Sequence, residues 1–209
     1  MNETLKTGTT TVGIVYKDGI ILGADKRATA GNLIAHKKVD KVVPINNYMA
    51  VTTAGTVSDI QMLVKLIKAE LKLKQIRTGK KPSVKEGANL LAGMVYSNIR
   101  RMSMIPGVSH FLVGGFDSEK ELYDLFPDGS IANIDDFVAT GSGSVMAYGV
   151  LETLYEENMK EEAGVDLVVK CVNAAMQRDS ASGEGIDVFA INKDGVKRAV
   201  KKTISTKIE

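Results

Sequence analysis

Two apolar runs, residues 9 to 16 and 20 to 24, flank Lys17-Asp18-Gly19 near the start of the chain. An Asp-Gly pair between such runs signals a tight hairpin, because its turn needs positive φ. Threonine, valine and isoleucine dominate both runs, and branching at Cβ suits a pleated strand. The runs are apolar at nearly every position instead of at alternate ones, a pattern that predicts burial on both faces. A hairpin with no solvent face has to lie inside a stack of layers. Polar residues return only at Asp25-Lys26-Arg27, where the second strand ends.

The rest of the chain supplies candidate layers. Residues 31 to 38 read as a loop or short strands, and 39 to 45 and 48 to 54 as a strand pair around Asn46-Asn47. The period then changes. Ser58 and Gln61 read as a capping box, followed by Ile60, Leu63, Ile67 and Leu71 at helical spacing, with Thr78-Gly79 as the stop. Ser83 and Glu86 read as a second capping box, and the stripe behind them is Ala88, Leu91, Ala92, Val95, Ile99 and Met102. Strands return at 109 to 116, 120 to 126 and about 131 to 139. Gly141-Ser142-Gly143-Ser144 then opens a helix carrying Val145, Tyr148, Leu151 and Tyr155. A fourth helix follows Gly164, turning Val165, Val168, Cys171, Val172 and Ala175 inward, before a strand at 186 to 192 and a charged tail. Hairpins with helices in pairs predict an α+β fold: two antiparallel sheets face to face, with a helix pair on each outer side. Nothing resembling a linker or repeat interrupts the 209 residues, so one domain is expected.

Composition narrows the function. A hydrophobic fraction of 44% with 25% charged residues is that of a globular chain. A net charge of +2, with Lys37-Lys38, Lys80-Lys81 and Lys201-Lys202 short and scattered, gives no reason to expect nucleic acid as a partner. Residues 1 to 7 carry no apolar signal-peptide core, and no run approaches the roughly 20 apolar residues of a membrane span. A single cysteine fits a reducing, cytoplasmic setting.

The usual catalysts are scarce. Only His36 and His110 are present, each expected to be structural or exposed, and Cys171 falls on a helix stripe as a small hydrophobe. No zinc-ligand spacing occurs, and Gly141-Ser142-Gly143 lacks the lysine of a phosphate loop. That leaves Gly8-Thr9-Thr10-Thr11-Val12-Gly13, which reads in two ways. It is either simply a first strand, or a strand headed by a nucleophile. A threonine hydroxyl is weak without an adjacent base. A threonine at a chain N-terminus carries that base as its own α-amine, whose ordinary pKa is about 8. Thr9 reaches that state only if the eight residues before it leave, and Gly8 has no side chain to obstruct attack on its carbonyl.

Five blocks in order carry a resemblance. They are Gly8 to Gly13; Gly23-Ala24-Asp25-Lys26-Arg27-Ala28-Thr29; Lys41 with Thr53-Ala54-Gly55; Gly141 to Ser144; and Gln177-Arg178-Asp179-Ser180-Ala181-Ser182-Gly183. Together, from Gly8 to about residue 192, they resemble the catalytic β-subunits of archaeal-type 20S proteasomes. The resemblance implies the αββα sandwich of N-terminal-nucleophile hydrolases and a threonine endopeptidase made as a zymogen. Residues 1 to 8 would be a propeptide removed autocatalytically between Gly8 and Thr9, and 9 to 209 the catalytic domain.

By the same resemblance Thr9 is nucleophile and base. Lys41 is a cation that lowers the pKa of the Thr9 amine, Asp25 is the partner of Lys41, and Gly55 N–H is the oxyanion donor. Ser142, Asp179 and Ser182 would hydrogen-bond around the Thr9 amine. Ala28, Val39, Val43, Thr53 and Val57 would line an uncharged specificity pocket, with Thr29 on the substrate backbone. The expected preference is cleavage after apolar residues. No cofactor or metal is implied. Expected partners are further β-subunits in stacked heptameric rings, α-subunit rings, an ATPase unfoldase and unfolded proteins. The bacterial two-ring threonine proteases share the N-terminal block, but the Arg178 to Gly183 block fits the β-subunits better. An inactive structural ring subunit would lack Thr9, Lys41 or Asp25, and all three are present.

Overall fold

The computed structural model describes residues 8–104 and 106–204. The opening hairpin is β1 (Thr10–Tyr16) and β2 (Gly19–Asp25), paired antiparallel with Tyr16 opposite Gly19. All of β2 is buried, and Val15 is the one partly exposed residue of β1. A two-stranded ribbon follows, β3 (Ala28–Ala30) and β4 (Leu33–His36), then β5 (Val42–Pro44), β6 (Met49–Thr52) and β7 (Ala54–Gly55). The first helix pair is α1 (Val57–Thr78) and α2 (Val84–Ile99). After β8 (Ser109–Phe116), β9 (Lys120–Leu125), β10 (Ile131–Ile134) and β11 (Phe137–Gly141) comes the second, α3 (Ser144–Leu154) and α4 (Glu161–Arg178). β12 (Gly185–Asn192) and β13 (Gly195–Thr203) close the order.

The strands form two antiparallel sheets, β11-β1-β2-β12-β13 and β10-β9-β8-β6-β5, with β7 added beside β8. Three apolar cores make four layers of them. Ile20, Leu22, Ala50, Leu112, Leu122, Val138 and Phe189 fill the space between the sheets. Val51, Leu63, Ile67, Leu91, Val95 and Phe111 join the second sheet to α1 and α2. Val12, Ile14, Ile21, Val168, Cys171 and Val172 join the first sheet to α3 and α4. The sidedness of β2 follows: Ile21 belongs to the helix core, while Ile20 and Leu22 belong to the sheet–sheet core. Gly23 permits the close helix contact, since a Cβ there would stand 2.2 Å from Val168 Cγ1.

Several expectations need correction. The Ser58–Gln61 capping box does not form: α1 begins at Val57, its N-cap is Thr56 without a side-chain bond, and Ser58 Oγ reaches only Asp59. The Ser83–Glu86 box does form, in both directions. Met102 lies beyond the end of α2, and Val145 points outward because α3 buries Ala147 and Leu151 instead. The run expected at 131 to 139 divides at Asp135-Asp136 into β10 and β11, which belong to different sheets. The charged tail is largely a nine-residue edge strand, β13, exposed or half-exposed along its length. Because only its inner edge needs partners, Lys and Arg could occupy it and hide its strand character. Of the expected propeptide, residues 1 to 7 lie outside the described residues. No helix among the described residues is long and apolar enough to cross a membrane.

Candidate active site

Antiparallel pairing brings distant residues to one end of the first sheet. β1 begins where β2 ends, and Thr10 stands opposite Gly141 of β11, which carries Ser142 to Thr9. Ile186 of β12 stands opposite Asp25, which brings the Asp179–Gly183 turn to the same place. Lys41 arrives from the irregular stretch before β5, and Gly55 from β7.

Asp25 is wholly buried and its carboxylate is saturated. Oδ1 accepts from Lys41 Nζ at 2.7 Å and from Thr10 N at 3.0 Å. Oδ2 accepts from Arg27 N at 2.9 Å and Gly183 N at 3.0 Å. Lys41 is also buried, and burial pulls its ammonium pKa below the ordinary lysine value, against the pull of the Asp25 carboxylate. The two side chains form one buried ion pair.

Thr9 is buried. Its Oγ1 donates to the Gly8 carbonyl oxygen at 2.7 Å, and its N–H donates to Ser142 Oγ at 3.2 Å. Ser142 Oγ and Ser182 Oγ each donate to Asp179 Oδ2 at 2.6 Å. With the Ser182 proton committed to that carboxylate, Thr10 Oγ1 is the donor in its 2.7 Å contact with Ser182 Oγ. Thr9, Ser142, Asp179 and Ser182 are therefore one polar chain. Gly8 sits in a slot: its N–H donates to Thr29 Oγ1 at 3.2 Å, and a Cβ on it would stand 1.9 Å from Ala181 Cβ.

Beside Thr9 opens a cavity of about 150 Å³, which Gly8, Lys41 and Gly55 also line. Gly55 has φ 124°, and a Cβ there would meet Val108 O at 2.2 Å, so only glycine fits. Ala28, Thr29, Val39, Val43, Thr53 and Val57 all reach the wall of this cavity. The wall also holds residues that sequence reading missed, namely Asp40, Ile60, Gln61 and Val64. Val57, Ile60, Gln61 and Val64 share one helical face, so the period of α1 carried that signal. Asp40 corrects the expectation of an uncharged wall; its carboxylate is ion-paired with Lys26 at 2.6 Å. Gly143 is the N-cap of α3.

Neither histidine lines the cavity, although His36 pairs opposite Ala28 and His110 opposite Ala54. His36 is exposed on β4, and His110 Nε2 is hydrogen-bonded to Asp124 Oδ1 at 2.6 Å. Among the described residues no group of three or more His, Cys, Asp or Glu is placed to hold a metal ion.

Two stacked antiparallel sheets between helix pairs form the sandwich of the N-terminal-nucleophile hydrolases. Within that class the family is specific. The family model described as "Proteasome subunit" matches residues 5–191, and the chain belongs to that family. It is 47% identical over 189 residues to "Proteasome subunit beta 2" of Ignicoccus hospitalis, covering 90% of this chain and 87% of that one. It is 44% identical to "Proteasome subunit beta" of Archaeoglobus fulgidus, covering 93% of this chain and 90% of the relative. With the protein of that name from Methanobrevibacter smithii the identity is 40%, over 98% and 97% of the two chains.

Proposed function

We propose that this chain is the threonine endopeptidase subunit of a proteasome core and makes its own nucleophile by cutting between Gly8 and Thr9. One observation carries the reading: Thr9 Oγ1 lies 2.7 Å from the Gly8 carbonyl oxygen, in a cavity shared with Lys41 and Gly55. Residues 1 to 8 are then a propeptide and 9 to 209 the catalytic domain.

In the precursor the Thr9 nitrogen is an amide and cannot act as base. A water near Lys41 and Ser142 takes the hydroxyl proton as Oγ1 adds to the Gly8 carbonyl carbon. The C–N bond then breaks, the nitrogen gains a proton, and an ester joins Gly8 to Oγ1. Hydrolysis of that ester releases residues 1 to 8 and frees the amine.

In the mature chain the Thr9 amine takes the proton from Oγ1 as it attacks the substrate carbonyl. The Lys41 cation disfavours a second positive charge beside it, which keeps more of the amine unprotonated. Asp25 holds Lys41 in place, and Ser142 with Asp179 and Ser182 orients the amine. The Gly55 N–H faces the developing oxyanion, where such donors are worth about 10²–10³ in turnover. The leaving amine takes the proton, and water resolves the acyl-enzyme ester.

Family membership supports assembly into rings with α-subunits; on the reading proposed here the β rings are heptameric and stacked in pairs, and an ATPase feeds them unfolded protein in the cytoplasm. The test is an intact mass of the chain purified with its α partner. Loss of Met1 to Gly8 is expected, whereas Thr9→Ala keeps them and hydrolyses no peptide. Peptidase activity in assembled Thr9→Ala particles would defeat the assignment.

A further inference from the structure

Lys41 stands on a stretch without regular structure, residues 37–41, between β4 and β5. A catalytic cation there is only as well placed as the contacts that hold the stretch. The backbone provides three: Val39 N donates to Lys26 O at 3.0 Å, and Lys41 O accepts from Thr53 N at 2.9 Å and Thr53 Oγ1 at 3.2 Å. Beyond these, Asp25-Lys26 meets Asp40-Lys41 as two crossed ion pairs. Lys41 binds Asp25 at 2.7 Å, and Lys26 binds Asp40 at 2.6 Å.

The second pair has no part in the chemistry described above, yet Lys26 is one of the largest fully buried side chains, only 2% exposed. Behind it lies Asp187, 0% exposed, with Oδ2 at 3.8 Å from Lys26 Nζ. Arg198 Nε lies 3.0 Å from Asp187 Oδ1, but off the hydrogen-bonding direction, so both Asp187 oxygens lack a hydrogen bond. Arg198 also reaches Asp40, at 3.9 Å. Burying such a group is seldom the most stable choice, because apolar side chains of the same volume commonly do as well or better. What a buried charge does provide is direction: Lys26, held between Asp187 inside and Asp40 at the rim, allows residue 40 one place. Asp40 is 54% exposed, and its shortest contact is this 2.6 Å pair, with Arg198 farther off at 3.9 Å.

We propose that Lys26 and Asp40 are positioning residues for Lys41, the buried Lys26 ammonium anchoring the 37–41 stretch to the end of β2. The inference rests on the proposed role of Lys41. The same stretch carries Val39 and Asp40 of the cavity wall, so the anchor also holds that side of the substrate site.

The experiment uses β-subunits assembled with their α partner, with turnover expressed per reactive N-terminal threonine and melting followed in parallel. Asp40→Asn should lower kcat for a small fluorogenic peptide about 10-fold with KM within about 2-fold, since misplacement near 1 Å can cost ~10²-fold in rate. Asp40→Glu should restore most of it, and Lys26→Met should resemble Asp40→Asn. Combining Lys26→Met with Asp40→Asn should cost no more in kcat than Lys26→Met alone, because both break the Lys26–Asp40 pair. Unchanged kcat in Asp40→Asn, or additive losses in the double variant, would overturn the proposal. So would a loss of Tm with full turnover per remaining site. Lys41→Ala separates the two readings: full activity there defeats the proposed function, whereas an inactive Lys41→Ala beside a fully active Asp40→Asn defeats the anchoring alone.

Discussion

At the scale of single residues, the site works by enclosure. Asp25 is 0% exposed and accepts four hydrogen bonds, so its orientation is set by the chain itself. Gly8 is enclosed as tightly. Gly8→Ala should slow propeptide removal by about 10²-fold, because its new methyl meets Ala181 and displaces the carbonyl that Oγ1 must reach. Mass spectrometry of assembled particles against time reads this directly, and normal processing of the variant would contradict the slot. Cys171 shows enclosure without chemistry. Burial pushes its thiol up to about 12, so at pH 8 it stays protonated. A maleimide should therefore leave it untouched in the folded chain and label it on unfolding, because the thiolate is the reacting form. Labelling of native particles at the unfolded rate would show that the helix core opens.

At the scale of elements, capping chemistry is decided by position to a single residue. Ser83 accepts from Glu86 N at 3.1 Å while Glu86 Oε2 accepts from Ser83 N at 2.9 Å. Ser83→Ala should cost about 1 kcal/mol of stability. Ser58→Ala, which removes no cap, should stay within about 0.5 kcal/mol. Equal losses in denaturant titrations of the two variants would contradict the observed helix starts. Both sites spell the same motif, and sequence alone did not separate them. The difference is that β7 pairs with β8 up to Gly55, leaving Thr56 at the N-cap and Ser58 already inside the first turn. β13 teaches the same lesson. Its partner β12 is buried and apolar and was legible, whereas an edge strand that needs backbone pairing alone tolerates charge.

At the scale of the whole molecule, the cavity is a joint product of five regions. Besides the Gly8-Thr9 head of β1 and the Thr53–Gly55 segment, β3, the 37–44 stretch and the first two turns of α1 each contribute a wall. Apolar side chains dominate it, and its one acidic group is neutralised by Lys26. Peptides ending in Leu, Phe or Tyr should therefore be cleaved with the highest kcat/KM. Those ending in Arg or Asp would bury a charge without a partner, at a cost of several kcal/mol. A leading rate for a basic peptide would show that Asp40 is free to receive it and that the Lys26 pair opens.

The sequence by itself determined the layered α+β fold, because runs apolar at every position must be covered on both faces, and it placed most elements through period and turn chemistry. The family resemblance carried by five blocks in order proposed Thr9, Asp25, Lys41, Gly55, Ser142, Asp179 and Ser182 as one set. Tertiary structure decided what those residues touch. Strand pairing across more than a hundred residues set Ser142 beside Thr9, and the β2–β12 register set Gly183 on Asp25. Packing alone made Lys26 a buried ion and brought Asp40, Ile60, Gln61 and Val64 to the cavity. Period and turn chemistry act between near neighbours and can be read along a chain. Register between distant strands and burial of a charge arise only when the layers close.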